Sequence, residues 1–314
     1  MKRLYHYLPM LLLSIIMVLF ALIFEAAFYT SANLLNSEYY TEVINDYHVA
    51  DALYTQVGDY FRQYANPTGI PQEVFMKGMD KDKLASSARA LTKQSVEYIL
   101  SPSSKKPKAE YDFTDFEKSI DKYYESYAET NNIQKDEEYY SLKKRTVSIA
   151  EEKVLSLIDV MMLETVSKTG VVSKIHKITP FIDYIMYGSI IMMVIIAVLM
   201  LVVDRHHKAD LLYWGGTVLF TTGGLLLIPA IYLRATGFFD GFFISQQTVY
   251  RSATGVIYKF LDEMIFLNSV MVGLGVILLI MAQIVHVIRK RKAIAQIRRE
   301  AHRRAEEEED EEES

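Results

Sequence analysis

The chain has 314 residues, 51% of them hydrophobic and 23% charged, and no cysteine. The missing thiols exclude a disulfide framework, a thiolate metal site and a cysteine nucleophile, and a formal charge of -5 is too small to demand a polyanionic or polycationic partner. Apolar and polar residues fall in separate blocks, the pattern of a membrane protein that carries a polar domain.

A short basic start, residues 1–7 with Lys2 and Arg3, leads into an apolar run at 8–30. Further runs lie at 181–203, 211–233 and 264–288. Each has the length of about 20 residues that a helix needs to cross about 30 Å of hydrocarbon, where a lone segment must satisfy its own backbone and therefore be helical. The first run ends on Thr30-Ser31-Ala32, small residues that fit a signal-peptide cleavage site, although the run is long for one.

Residues 31–180 form a block rich in Lys, Asp, Glu, Ser and Tyr, and its spacing predicts a helical domain. Tyr40, Ile44, Tyr47, Tyr54, Val57, Phe61 and Tyr64 fall at helical steps and predict a first helix, broken by Asn66-Pro67-Thr68-Gly69. Pro71 suits the first turn of a short helix, and Asp80 suits the cap of the next, whose Leu84, Ala88, Leu91, Ser95 and Tyr98 share a face. After a loop from Ser101 to Pro107, Thr114-Asp115-Phe116-Glu117 reads as a capping box opening a helix to about Thr130. The longest helix is expected from about Asp136 to Thr169, with Tyr140, Val147, Ala150, Val154, Ile158, Met161 and Leu163 along its apolar face and Gly170 as its stop.

Four main helices whose ends both return to the membrane predict an antiparallel bundle. The dense tyrosines, among them Tyr39, Tyr40, Tyr123, Tyr124, Tyr127, Tyr139 and Tyr140, are expected to fill its core with their hydroxyls at the water. The alternative is an aromatic surface for a peptide, glycan or partner protein.

The connection 204–210 carries Arg205 and Lys208, and its adjacent His206 and His207 read as a polar turn, because neighbouring rings diverge and make a poor metal site. The third run holds Gly215, Gly216, Thr217, Thr221, Thr222, Gly223, Gly224 and Pro229, which predict close helix packing, with Ser269 and Gly273 of the fourth run as the matching small residues. Residues 234–263 include Phe238, Phe239, Phe242, Phe243 and Ile244, too apolar for a free loop. They are expected to form an amphipathic segment lying in the interface or against the domain. In the tail, 289–314, eight basic residues precede eight consecutive acids. Arg289, Lys290, Arg291, Lys292, Arg298 and Arg299 are candidate contacts for anionic lipid headgroups.

Basic residues in short flanks mark the cytoplasmic side. Both termini are therefore expected in the cytoplasm, with residues 31–180 and 234–263 outside the plasma (cytoplasmic) membrane. The fold class is an all-α integral membrane protein of four transmembrane helices, with a helical extracytoplasmic domain inserted between spans 1 and 2. Each span brings a polar residue to a similar outer depth: Glu25, Asp183, Arg234 and Asn268. These form a candidate outer-leaflet cluster, with an ion pair expected between Glu25 and Arg234.

No glycine-rich phosphate loop, nucleophile elbow or paired-His zinc motif occurs in the sequence. No catalytic, cofactor-binding or metal-binding residue is therefore assigned, and the expectation is a non-enzymatic cell-envelope protein whose outer domain binds a ligand or protein partner and relays this to the spans. The expected partners are the bilayer, a protein or a second copy of the chain, and anionic lipid at the basic tail, with no nucleic acid. Four spans with a large first and a small second outer loop are similar in topology, without a shared motif, to FtsX-like permease subunits, which work with a separate ATPase. That similarity implies a transporter subunit as the alternative. A membrane-embedded enzyme is a third reading.

Overall fold

The computed structural model describes residues 2–101, 106–162, 166, 170–204 and 210–312, with the backbone alone at 2–6, 171, 293 and 302–312. Outside it fall Pro102–Lys105 of the predicted loop, Leu163 and Thr169 of the predicted longest helix, the basic and histidine residues of the 204–210 connection, and Glu313. The described residues are helices and turns, with no strand among them.

The helices are α1 (Lys2–Tyr29), α2 (Ser37–Asp46), α3 (Val49–Thr68), α4 (Gln72–Lys77), α5 (Lys81–Leu100), α6 (Thr114–Thr130), α7 (Glu137–Ile158), α8 (Val171–Val203), α9 (Asp210–Ala235) and α10 (Gln247–Glu312). Four are long and apolar enough to cross a membrane: α1, α8, α9 and α10. The chain divides into two compact units. One comprises residues 1–26, 185–232 and 262–314, the other 27–184 and 233–261.

The second unit is a helical domain around a core of large side chains. Phe61 of α3, Phe75 of α4 and Phe116 of α6 are fully buried, and the rings of Phe61 and Phe75 stack at 4.6 Å. Leu53, Leu84, Ile120, Val154 and Ile158 complete the same core. Local chemistry sets several starts. Asp80 accepts from the Lys83 amide at 2.8 Å to cap α5, and Asp136 accepts from the Tyr139 amide at 3.0 Å to cap α7, each satisfying an otherwise orphaned N–H. At α6 the expected capping box does not form. Asp112 takes the role instead, accepting from the Thr114 hydroxyl at 2.7 Å and the Thr114 amide at 3.1 Å, which holds its own carboxyl below the ordinary value.

Two long helices are shorter than their periodicity predicts. The first breaks into α2 and α3 at His48, which adopts φ 54°, and the second piece continues through Pro67 to stop at Gly69, φ 68°, a backbone region glycine enters without strain. The last domain helix ends at Ile158 rather than running on. Ile158 and Val160 are both buried in the core, yet residues two apart lie on opposite faces of a helix, so packing both inward requires the chain to leave the helix. Tyr140, expected on the apolar face, is 52% exposed, and Tyr139 takes the buried position.

The segment 234–263 is largely the first turns of α10, and it packs on α2 and α3. Tyr39 donates to the Val256 carbonyl at 2.8 Å, and Thr248 donates to Gln56 at 2.6 Å. Lys259 pairs with Glu42 and, at 3.6 Å, with Asp46. Gly255 makes this approach possible, since a Cβ there would lie 2.7 Å from Val43 and 2.9 Å from Tyr47. Phe238, Phe242 and Phe243 just before it remain exposed.

The first unit packs by small residues. A Cβ at Gly275 would come 2.7 Å from the Phe220 amide and 3.0 Å from the Gly216 carbonyl, and one at Gly223 would come 3.0 Å from the Asn268 carbonyl. Gly216 and Gly223 thus serve as expected, but their partners on α10 are Gly275 and the turn at Asn268. Gly273, like Gly215 and Gly224, faces open space. At the other end of α1, Met10, Ile196, Met200 and Trp214 join α1, α8 and α9 in a small apolar cluster.

Candidate functional site

Immediately after α1 the chain makes a wide helical turn, Thr30–Leu34, and α2 then starts behind Asn36, whose side chain accepts from the Glu38 amide. This turn, the end of α5 and the first turns of α8 enclose a recess of about 380 Å³ within the domain. Val96, Ile99 and Leu100 form one wall, and Ile175, Ile178, Thr179 and Ile182 form another. The latter recur at helical steps and so share one face of α8. Its described lining is mainly apolar, with Thr30, Tyr40 and Thr179 as the polar side chains. Tyr40 donates its hydroxyl to the Leu34 carbonyl at 2.9 Å, and Thr179 donates to the Ile175 carbonyl at 2.9 Å, so both hydroxyls are bonded to backbone. Burial also holds the Tyr40 hydroxyl above its ordinary pKa.

Beside it lies a shallower polar hollow of about 470 Å³, lined by Ser31, Asn36, Ser37, Glu97 and Ser101. Leu35 and Leu100 line both spaces. Ser37 donates to Glu97 at 3.4 Å, and Ser31 donates to Asp183 at 3.2 Å. None of the described residues lining either space is basic.

The four polar residues predicted as a cluster have different surroundings. Glu25 and Asn268 come together in the membrane-type unit, both buried. Neither carboxyl oxygen of Glu25 makes a hydrogen bond of ordinary geometry, and the Asn268 side chain is the polar neighbour that acts on it. Thr222 is fully buried in the same unit. Arg234, in the domain, lays its guanidinium over the Tyr258 ring at 4.7 Å, while Tyr258 donates to Asp240 at 2.7 Å. Asp183 is engaged by Ser31. Arg289, Lys290, Arg291, Lys292, Arg298 and Arg299 are all exposed along α10.

Two further features lie elsewhere in the domain, one among the tyrosines noted in the sequence and one without a sequence signal. Tyr124, Tyr127 and Tyr139 line a recess of about 310 Å³ at the turn between α6 and α7, where the Tyr139 hydroxyl is buried without a hydrogen-bond partner. Glu151 of α7 is pushed up to about 7, first by burial and then by the neighbouring Glu117 of α6. Among the described residues no group of three metal-ligating side chains converges. Known protein families, curated proteins and solved structures yield no match to this chain.

Proposed function

We propose that this is a non-enzymatic, multi-pass protein of the plasma (cytoplasmic) membrane, with both termini cytoplasmic and an extracytoplasmic helical domain that binds a hydrophobic ligand. The observation that carries this reading is the apolar recess of about 380 Å³, whose size suits a small-molecule site. Its walls begin one residue beyond α1, at Thr30, and continue on α8 up to Ile182, so the ligand would meet the chain where it leaves one span and enters the next. Helix α8 runs unbroken from Val171 to Val203, which gives occupancy of the recess a direct mechanical route to a span. Exposed basic side chains on α10 support contact of the tail with anionic headgroups.

Two measurements test the reading. The absence of native cysteine makes single-cysteine topology mapping clean. Glu129→Cys should react with an impermeant maleimide in intact cells, and Arg299→Cys only after permeabilisation. Native mass spectrometry of the full chain in nanodiscs should find a hydrophobic ligand that Val96→Trp, which fills the recess, displaces. Reversed labelling or an unchanged ligand complement would overturn the proposal.

The transporter-subunit reading draws support from one observation, the buried Glu25 beside Asn268, since an ionisable group inside a span marks a functional path by default. It predicts substrate flux in vesicles that Glu25→Gln abolishes, or copurification of an ATPase.

A further inference from the structure

We propose that the ligand is a single-chain amphiphile whose hydroxylated head bears no negative charge, with its tail in the apolar recess and its head in the polar hollow. The inference rests on the recess being the ligand site, and goes on to say which chemistry fills it.

The tail follows from what the recess lacks. Its described walls are mainly aliphatic and carry no charged side chain, and the hydroxyls of Tyr40 and Thr179 already donate to backbone carbonyls. A polar group entering there would lose its water for at most the spare acceptor sites of a few hydroxyls, whereas a hydrocarbon chain gains from each methylene buried. The head follows from continuity. Leu35 and Leu100 line both spaces, so a ligand filling the recess has its other end directed past these two residues into a hollow lined by hydroxyl, amide and carboxylate groups.

Charge narrows the head further. Glu97 lines the hollow, and Asp183 is held to Ser31 of the same lining. Among the described residues no basic side chain lines either space, and Lys93, one turn before Glu97 on α5, is paired with Glu38. A phosphate or carboxylate head would meet the Glu97 carboxylate, with Asp183 held beside the hollow, and no cation among the described lining residues, a like-charge arrangement that proteins use to reject a ligand. A head of hydroxyl groups instead donates to Glu97 and exchanges hydrogen bonds with Ser31, Asn36, Ser37 and Ser101.

The test uses the full chain in phosphatidylcholine nanodiscs and a photoreactive mono-oleoylglycerol, with labelled peptides mapped by mass spectrometry. Labelling is expected within 96–100 and 175–182. Unlabelled mono-oleoylglycerol should compete about tenfold better than oleoyl-lysophosphatidylglycerol, a difference of the size that one rejected charge produces. The double variant Glu97→Gln, Asp183→Asn should bring the two competitors within about twofold while keeping the labelling. Equal competition in the unmutated protein would overturn the head assignment and leave the recess as a ligand site. Labelling that misses the recess would overturn both proposals, as would labelling that persists in Ile178→Trp, a rim position chosen because its 58% exposure tolerates substitution without loss of the fold.

Discussion

The two units of this protein are built from the same element and pack it by opposite means. In the domain the bulk points inward: Phe61, Phe75 and Phe116 are fully buried, and their rings meet one another. In the membrane-type unit the bulk points outward. Ile228 is 71% and Phe266 72% exposed, and the helices touch through Gly216, Gly223 and Gly275. Water rewards the burial of large apolar groups, so a domain in water gathers them in its core. Hydrocarbon gives no such reward, and helices there associate by close approach of their backbones. The contrast is the one expected between a unit of membrane-spanning helices and a domain in water.

The contrast can be broken most sharply at a phenylalanine. Phe61→Ala should destabilise the domain by about 3–5 kcal/mol, as expected for emptying a packed aromatic site, while Phe266→Ala in the outward face of α10 should stay within about 0.5 kcal/mol. Thermal and denaturant unfolding of the full chain in nanodiscs measures both, and similar losses would refute the opposed packing. Glycine gives the reverse experiment within the membrane-type unit. Gly275→Val forces atoms against the Phe220 backbone and should cost about 1–3 kcal/mol, whereas Gly273→Val, two residues away in open space, should leave the unfolding midpoint unchanged.

A third test concerns the partly buried carboxyl of Glu151, between α6 and α7 of the domain. Glu151 rises from the ordinary 4.5 to about 7, so the folded chain keeps a proton that the unfolded chain releases in that interval. The resulting stability is complete below the unfolded value and is lost as pH rises through about 7. Between about pH 5 and pH 8 the domain should lose on the order of 1 kcal/mol, discounted for the partial exposure of the group, and Glu151→Gln should flatten the profile. Unfolding midpoints across pH read this directly.

The smallest effects separate two neighbouring tyrosines. Tyr124 shares a hydrogen bond of 3.1 Å with Thr146, so Tyr124→Phe should cost about 1 kcal/mol. The buried Tyr139 hydroxyl has no such partner, and Tyr139→Phe should be neutral or slightly stabilising by the same measurement.

Much of the fold was legible in the residues, and the candidate site was not. Each of the four apolar runs lies within a single helix, save for Thr30 at the end of the first, and Asp80 caps the helix that it marks. The exit from α7 after Ile158 was hidden because it depends on packing Ile158 and Val160 into one core, while the split at His48 and the choice of Asp112 over the capping box had local competitors that spacing did not rank. The recess joins residues near 30–40, 96–100 and 175–182, and in the sequence its Val96, Ile99 and Ile178 are indistinguishable from residues of a filled core. The shallow polar hollow is equally silent, since serine and asparagine at helix ends read first as caps.

By itself the sequence determined where hydrocarbon can be crossed, because that depends on a local run of about 20 apolar residues, and where several helices begin, because a cap needs only its own first turn. Tertiary structure decided which small residues meet, with Gly275 rather than Gly273 facing Gly216 and Phe220, and where long helices stop. It also decided that one apolar patch stays open while others close around Phe61. These outcomes arise from competition among distant segments for the same space, and no local pattern carries the result of that competition.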